Sequence, residues 1–131
     1  RYQRNRIRHR IIPELETINP NVVNAIVRLG NSVREDVILI SQLTDTAFNE
    51  LVTISEEGAS ISRRGLRKEP LAIQRRLWQR LVSILDPEIK LTTAHQEQLL
   101  DIVNTGEKKT FNIKSITVSA QCDTIKVYRK H

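Results

Sequence analysis

The feature that most constrains the fold is a seven-residue apolar repeat in the first half of the chain. Ile26, Val33, Ile40, Ala47 and Ile54 recur every seven residues, with Leu29, Val37, Leu43 and Leu51 between them. Such spacing keeps one stripe of a helix apolar over about four repeats. It predicts a helical arm over residues 21–58, N-capped by Asn21, weakened slightly by Gly30 and ended by Gly58. At 1.5 Å per residue, about 35 helical residues make an arm of roughly 50 Å. The stripe needs a partner: a neighbouring helix of this chain, another part of a longer protein, or a second copy forming a homodimer through the long helix.

Residues 1–18 also read as helical, with Ile7, Ile11, Leu15 and Ile18 on a narrow stripe and Asn19-Pro20 as the stop. Pro13 lacks an N–H and crowds the carbonyl one turn back, so a kink or a fresh start is expected there. After the arm, residues 59–69 form a polar connector with a short strand at 59–62. Pro70 opens a helix running to Leu85, where Asp86-Pro87 ends it. Thr92 or Thr93 caps a further helix, with Thr93 and Gln96 matching a capping box and Gly106 closing the C-terminus. The tail then switches to a period of two. Phe111 and Ile113, then Ile116, Val118 and Ala120, then Ile125 and Val127 predict three short strands, with a turn at 121–123. The expected class is mainly α with a small β part (α+β), a long helical arm followed by a helix–helix–three-strand module. The expected divisions are 1–20, a helical end of a preceding domain; 21–58, the arm; and 59–131, the C-terminal module.

Catalytic chemistry finds little to stand on. The four glycines never cluster into a phosphate loop, and His9, His95 and His131 have no metal-ligand spacing. Cys122 is the only cysteine, which excludes an internal disulfide and a Cys-based zinc site, and it lies in a turn without an activating base. Glu14 with Glu16, or Glu56 with Glu57, are better explained as solvated faces than as acid–base pairs. No metal site is expected. The longest wholly apolar run, residues 37–40, cannot span a bilayer. The chain has no methionine, so it is expected to be an internal or C-terminal piece of a longer protein. A transit peptide fits less well, because the Arg-rich opening contains no serine.

Charge is more informative. The net charge is +6, and the excess is clustered, which favours a polyanionic partner. The first ten residues carry Arg1, Arg4, Arg6, Arg8, Arg10 and His9 with no acid. On a helix these spread around the cylinder. Arg4 falls on the apolar side with Arg8 at its margin, so both are expected to serve a cleft or a specific acid. Arg6, His9 and Arg10 lie on the outward side and suit a phosphate backbone. A second cluster, Arg63, Arg64, Arg67 and Lys68 followed by Arg75, Arg76 and Arg80, is offset only by Glu69. The helix after Pro70 puts Ile73, Leu77, Leu81, Ile84 and Leu85 on the core face and Arg75, Arg76 and Arg80 opposite. That pattern is a reasonable RNA footprint. Aromatic stacking platforms are scarce, which favours phosphate and shape contact over base stacking. A different reading is a helical interaction protein that dimerises through the 26–54 seam, its charges incidental.

The string Arg4-Asn5-Arg6-Ile7-Arg8-His9, followed by Ile12-Pro13-Glu14-Leu15 and Ile18-Asn19-Pro20, strongly resembles the tRNA(Ile)-lysidine synthases. A looser match is Pro70-Leu71-Ala72-Ile73-Gln74-Arg75-Arg76-Leu77, then Leu91-Thr92 with His95 and a strand-rich tail. The resemblance implies a ligase that adenylates a wobble cytidine and couples lysine to it, with ATP, magnesium, L-lysine and tRNA(Ile) as ligands. It implies that the string containing Arg4, Asn5, Arg6, Arg8, His9 and Arg10 binds tRNA or lines the cleft where tRNA and adenylate meet. It further implies that the arm and the C-terminal module hold the tRNA body. The family's Ser-Gly-Gly-x-Asp-Ser loop is absent, so ATP and magnesium are expected in an N-terminal domain upstream of Arg1, and this piece alone is expected to be inactive. The implied compartment is the bacterial cytoplasm, or the plastid stroma if the protein is organelle-encoded.

Overall fold

The computed structural model describes residues 2–130, so the expectations for Arg1 and His131 lie outside the described residues. Two compact units are present, one ending at Leu39 and the other beginning at Ile40.

Among its described residues, the first unit is helical apart from a break at 19–21. It comprises α1 (Tyr2–Arg6), a π turn (Ile7–Ile11), α2 (Ile12–Ile18) and the beginning of α3 (Val22–Leu51). The perturbation expected at Pro13 takes a definite form. The Ile12 N–H bonds the Ile7 carbonyl, five residues back, so the helix widens just before the proline rather than breaking at it. Asn19 ends α2 in an extended conformation, and its side chain accepts a hydrogen bond from the Asn21 N–H at 3.0 Å. The stripe expected to be buried is not. Ile7, Ile11, Leu15 and Ile18 are exposed, as are Ile26, Leu29, Val33 and Val37 of the seam.

The second unit begins with the last turns of α3, where Thr44 and Ala47 are buried and Ile40, Phe48 and Leu51 pack against the core. α3 stops at Leu51, earlier than the expected boundary at 58. Val52–Ser55 forms strand β1 and turns back as β2 (Gly58–Ser62), with Val52 opposite Ile61 and Ser55 opposite Gly58. The run Val52-Thr53-Ile54 is β-branched throughout and prefers a strand. At Gly58, φ is +149° and a Cβ would overlap the Val127 carbonyl oxygen, so only glycine fits.

Three helices follow: α4 (Arg63–Arg67), α5 (Leu71–Leu85) and α6 (Thr93–Thr105). The capping box of α6 uses Thr92 with His95 rather than Thr93 with Gln96. Thr92 Oγ1 accepts from the His95 N–H, and His95 Nδ1 accepts from the Thr92 N–H. Gly106 closes the helix in the left-handed region, as expected. β3 (Lys109–Ile113), β4 (Ile116–Gln121) and β5 (Thr124–Arg129) complete one antiparallel sheet in the order β1-β2-β5-β4-β3. The α+β class holds; the short strand expected at 59–62 is β2, β1 was not expected, and the two join the three tail strands in one sheet of five. One sheet face (Ile61, Ile113, Ile116, Val118, Ile125, Val127) is buried with Leu66, Leu77, Trp78, Leu81, Leu99 and Ile102 of the helices. The other is polar: Ser60, Lys126, Ser119 and Thr110 lie opposite one another across four strands.

Candidate nucleic-acid interface

The N-terminal basic cluster is wholly solvent-facing: Arg4, Asn5, Arg6, Arg8, His9 and Arg10 are all exposed. Tyr2, Asn5, Arg6, His9 and Arg10 line one shallow depression of about 250 Å³. These positions are three to four residues apart, neighbours on a helix surface. Arg4 and Arg8 do not line it, the same division that helical phase gives. Among the described residues, no carboxylate lies within ion-pairing distance of Arg4, Arg6, Arg8 or Arg10.

The second cluster divides differently from expectation. Arg63 is only 2% exposed. Its guanidinium donates to the carbonyls of Ile102 (Nε, 2.9 Å), Cys122 (Nη1, 2.7 Å) and Glu107 (Nη2, 2.8 Å). It therefore joins the start of α4 to the end of α6 and to the β4–β5 turn. This corrects the expectation of an open phosphate contact: the side chain is enclosed and its donors are engaged. Arg67 donates through Nε and Nη2 to the Val103 carbonyl. α6 has no basic residue in its own last turn, so Arg63 and Arg67 supply the cations that its C-terminal carbonyls favour. Arg80 pairs with Asp45, its guanidinium 5.8 Å from the Phe48 ring centroid. Arg76 donates to the Ala72 carbonyl within its helix at 3.0 Å. Arg64, Lys68, Arg75 and Arg76 remain exposed, and no ion pair engages their side chains among the described residues.

Sequence reasoning missed two supporting acids. Asp123 accepts from the Arg64 N–H (2.8 Å) and from the Ser62 hydroxyl (3.4 Å), which places the first turn of α4 on the β4–β5 turn. Asp86, at the end of α5, accepts from the Ser115 hydroxyl at 2.6 Å. That bond and then the Glu88 N–H hold its carboxyl below the ordinary 3.8 against the opposing effect of burial, with lesser help from the charges of Arg129 and Lys114. Asp123 carries no local sequence signature for this role, because its partners lie 59 and 61 residues away; for Asp86 only the bond to the Glu88 N–H is local, and Ser115 comes from a distant turn. Among the described residues, no group of three His, Cys, Asp or Glu could hold a metal ion. No described helix is long and apolar enough to cross a membrane.

Fold and surface together define a class: an α+β module preceded by a helical segment, with exposed arginines that make no ion pair among the described residues. No protein-family profile matches the chain. Among the curated proteins that the chain matches are three tRNA(Ile)-lysidine synthases. The protein from Geobacter sulfurreducens is 33% identical over 84 residues, covering 63% of this chain and 18% of the relative. That from Streptococcus gordonii is 31% identical over 105 residues, covering 79% and 22%. That from Synechococcus is 29% identical over 77 residues, covering 59% and 22%. The chain is thus a relative of tRNA(Ile)-lysidine synthases, as its motifs led us to expect. It spans about a fifth of the length of the curated relatives it matches.

Proposed function

We propose that this chain is the tRNA-binding portion of a tRNA(Ile)-lysidine synthase, a ligase that uses ATP to join L-lysine to the wobble cytidine of the AUA-decoding tRNA(Ile). The observation that carries the reading is the exposed basic helix, whose arginines have no carboxylate partner among the described residues, in a chain similar to enzymes of that name. Arg6, His9 and Arg10 take consecutive phosphates, with Asn5 beside them. Arg4 and Arg8 serve the cleft side. Arg64, Lys68, Arg75 and Arg76, with the remaining donor of Arg67, take backbone phosphates further along the tRNA. Arg63 and Arg80 act by holding the module together.

The residues present do not fit ATP or magnesium. The chain has no glycine-rich loop, and the described residues offer no metal cluster. Adenylation is therefore assigned to other parts of such an enzyme, and the contribution here is to bind and orient tRNA. The compartment that goes with this reading is the bacterial cytoplasm, or the plastid stroma for an organelle-encoded protein.

Titrating fluorescent tRNA(Ile) at several salt concentrations tests the proposal. Log affinity should fall steeply with log salt. Replacing Arg6, Arg8 and Arg10 by alanine together should flatten the slope by about 2 to 3, since each lost phosphate contact removes nearly one unit. A shallow slope that the triple variant leaves unchanged would sink it. A second reading, homodimerisation through the 26–54 seam, is favoured by the exposure of Ile26, Leu29, Val33 and Val37. It predicts a concentration-dependent dimer without salt-sensitive tRNA binding.

A further inference from the structure

The first turns of α5 and α6 enclose a cleft of about 290 Å³, lined by Gln74, Arg75, Trp78, Thr92, Thr93 and Gln96 among others. Two atoms there are chemically incomplete. Gln74 is 6% exposed and Trp78 1%. The Gln74 amide nitrogen donates to the Glu69 carbonyl at 2.9 Å, yet its Oε1 has no partner, and neither has the indole Nε1–H of Trp78. A buried donor and a buried acceptor left unpaired are each destabilising and uncommon. The two side chains are four residues apart, on one face of α5, and both line this cleft.

The rim is built for an anion. The first four N–H groups of a helix have no intrahelical partner. In α6 the Thr92 hydroxyl takes that of His95 and the Thr92 carbonyl takes that of Gln96. The Thr93 and Ala94 N–H groups are left pointing outward at the positive end of the helix. Arg75 is exposed beside them, and its carbonyl accepts from Gln96 Nε2 at 3.2 Å, tying the two helix ends together. Glu97 shares the rim. Its charge repels a dianion more than the single charge of a phosphodiester.

We infer that this cleft is a ribonucleotide subsite, in which Arg75 and the α6 N-terminus hold a backbone phosphodiester while the Gln74 carbonyl and the Trp78 indole read the adjacent 2′-hydroxyl. The inference rests on the RNA-binding reading and sharpens it. Gln74 Oε1 needs a donor and Trp78 Nε1 an acceptor, and a hydroxyl supplies both at once. Both side chains line the cleft and both atoms are closed off from open solvent, so the group that completes them is small, which favours a hydroxyl over a base edge. In RNA, a 2′-hydroxyl always lies beside a 3′-phosphodiester; DNA lacks it. The cleft thus distinguishes RNA from DNA without reading sequence.

Trp78 is the only tryptophan of the chain, so its indole N–H gives one unambiguous NMR resonance. The full chain is titrated with the ribodinucleotide ApA, its deoxyribose counterpart dApdA, and inorganic phosphate. ApA should shift the indole resonance saturably. Affinity should drop at least about tenfold for dApdA, because a site built around a hydroxyl rejects the analogue without it, and about fivefold or more for Arg75→Ala. No shift with ApA, equal shifts with both dinucleotides, or the same shift with phosphate alone would each overturn the inference. Fluorescence anisotropy with tRNA, run on the same samples, separates the two proposals. Tight tRNA binding with a silent Trp78 and an unaffected Arg75→Ala variant removes the subsite and leaves the RNA reading. A responsive Trp78 without tRNA binding does the reverse.

Discussion

Arg63 and Arg64 are neighbours in sequence and should behave as opposites. Replacing Arg63 by methionine keeps the bulk of the side chain but leaves three carbonyls without their donor: Ile102, Cys122 and Glu107. An unpaired buried acceptor costs about 1–3 kcal/mol. The bond to Ile102 is buried, and those to Cys122 and Glu107 are partly buried. Water can relieve the latter two, so about 2 kcal/mol at the first and about 1 kcal/mol at each of the others is reasonable. Relief from enclosing a guanidinium offsets about 1 kcal/mol. The net loss is about 3 kcal/mol, a large part of the roughly 5–15 kcal/mol that stabilises a domain. For a module of this size that is a fall in Tm of roughly 10–20 °C. Thermal melts followed by circular dichroism, together with urea unfolding, measure it. Arg64→Ala, in contrast, should melt within about 0.5 kcal/mol of the parent and flatten the salt dependence of tRNA binding by nearly one unit. An Arg63→Met variant that unfolds like the parent, yet binds tRNA more weakly, would refute the assignment of Arg63 to structure.

Other expectations follow from the same contacts. The lowered pKa of Asp86 contributes stability that is fully present above the unfolded value of 3.8 and is lost as pH falls through the lower folded pKa. Asp86→Asn should therefore be less stable than the parent at pH 7 and converge with it in acid; a constant difference down to pH 2 would count against this. Gly58→Ala forces a side chain against the Val127 carbonyl at positive φ, and urea unfolding should register a loss of about 2–4 kcal/mol. If the exposed seam joins two copies, Val33→Lys should convert a dimer to a monomer in analytical ultracentrifugation without changing the melt; an unaltered sedimentation coefficient rules that pairing out.

What could be read in advance follows from the range of the interactions. Helices α5 and α6 and strands β3 to β5 carry their own signals, since period, Pro70, Gly106 and the 121–123 turn all act within a few residues. A strand was expected where β2 lies, but β1 was missed because Ile54 continues the heptad count as well as it joins a strand. Only pairing of β2 with β5, Ile61 opposite Ile125, decides between the two. At the site, the phase of Arg6, His9 and Arg10 was legible because they share one helix. The burial of Arg63 was not, since its acceptors lie 39, 44 and 59 residues away in the chain. Counting charges finds a cluster but cannot tell a solvated arginine from one enclosed by carbonyls of later elements. The unpaired atoms of Gln74 and Trp78 were hidden for the same reason.

The widened turn at Ile7–Ile11 bears on how changes in chain length would be tolerated there. A π turn holds about one residue more than an α turn, so each of its residues turns the chain by less than the roughly 100° of an α-helix. Deleting one residue within it would let the helix close into regular form, with composition and charge almost unchanged. The side chains from Tyr2 to Arg6 would keep nearly the same direction relative to Leu15 and Ile18, because one α turn would replace one π turn and each closes about a full rotation. This segment would therefore absorb the loss of one residue that a regular stretch of α3 could not, since there the same deletion would turn everything before it by about 100°.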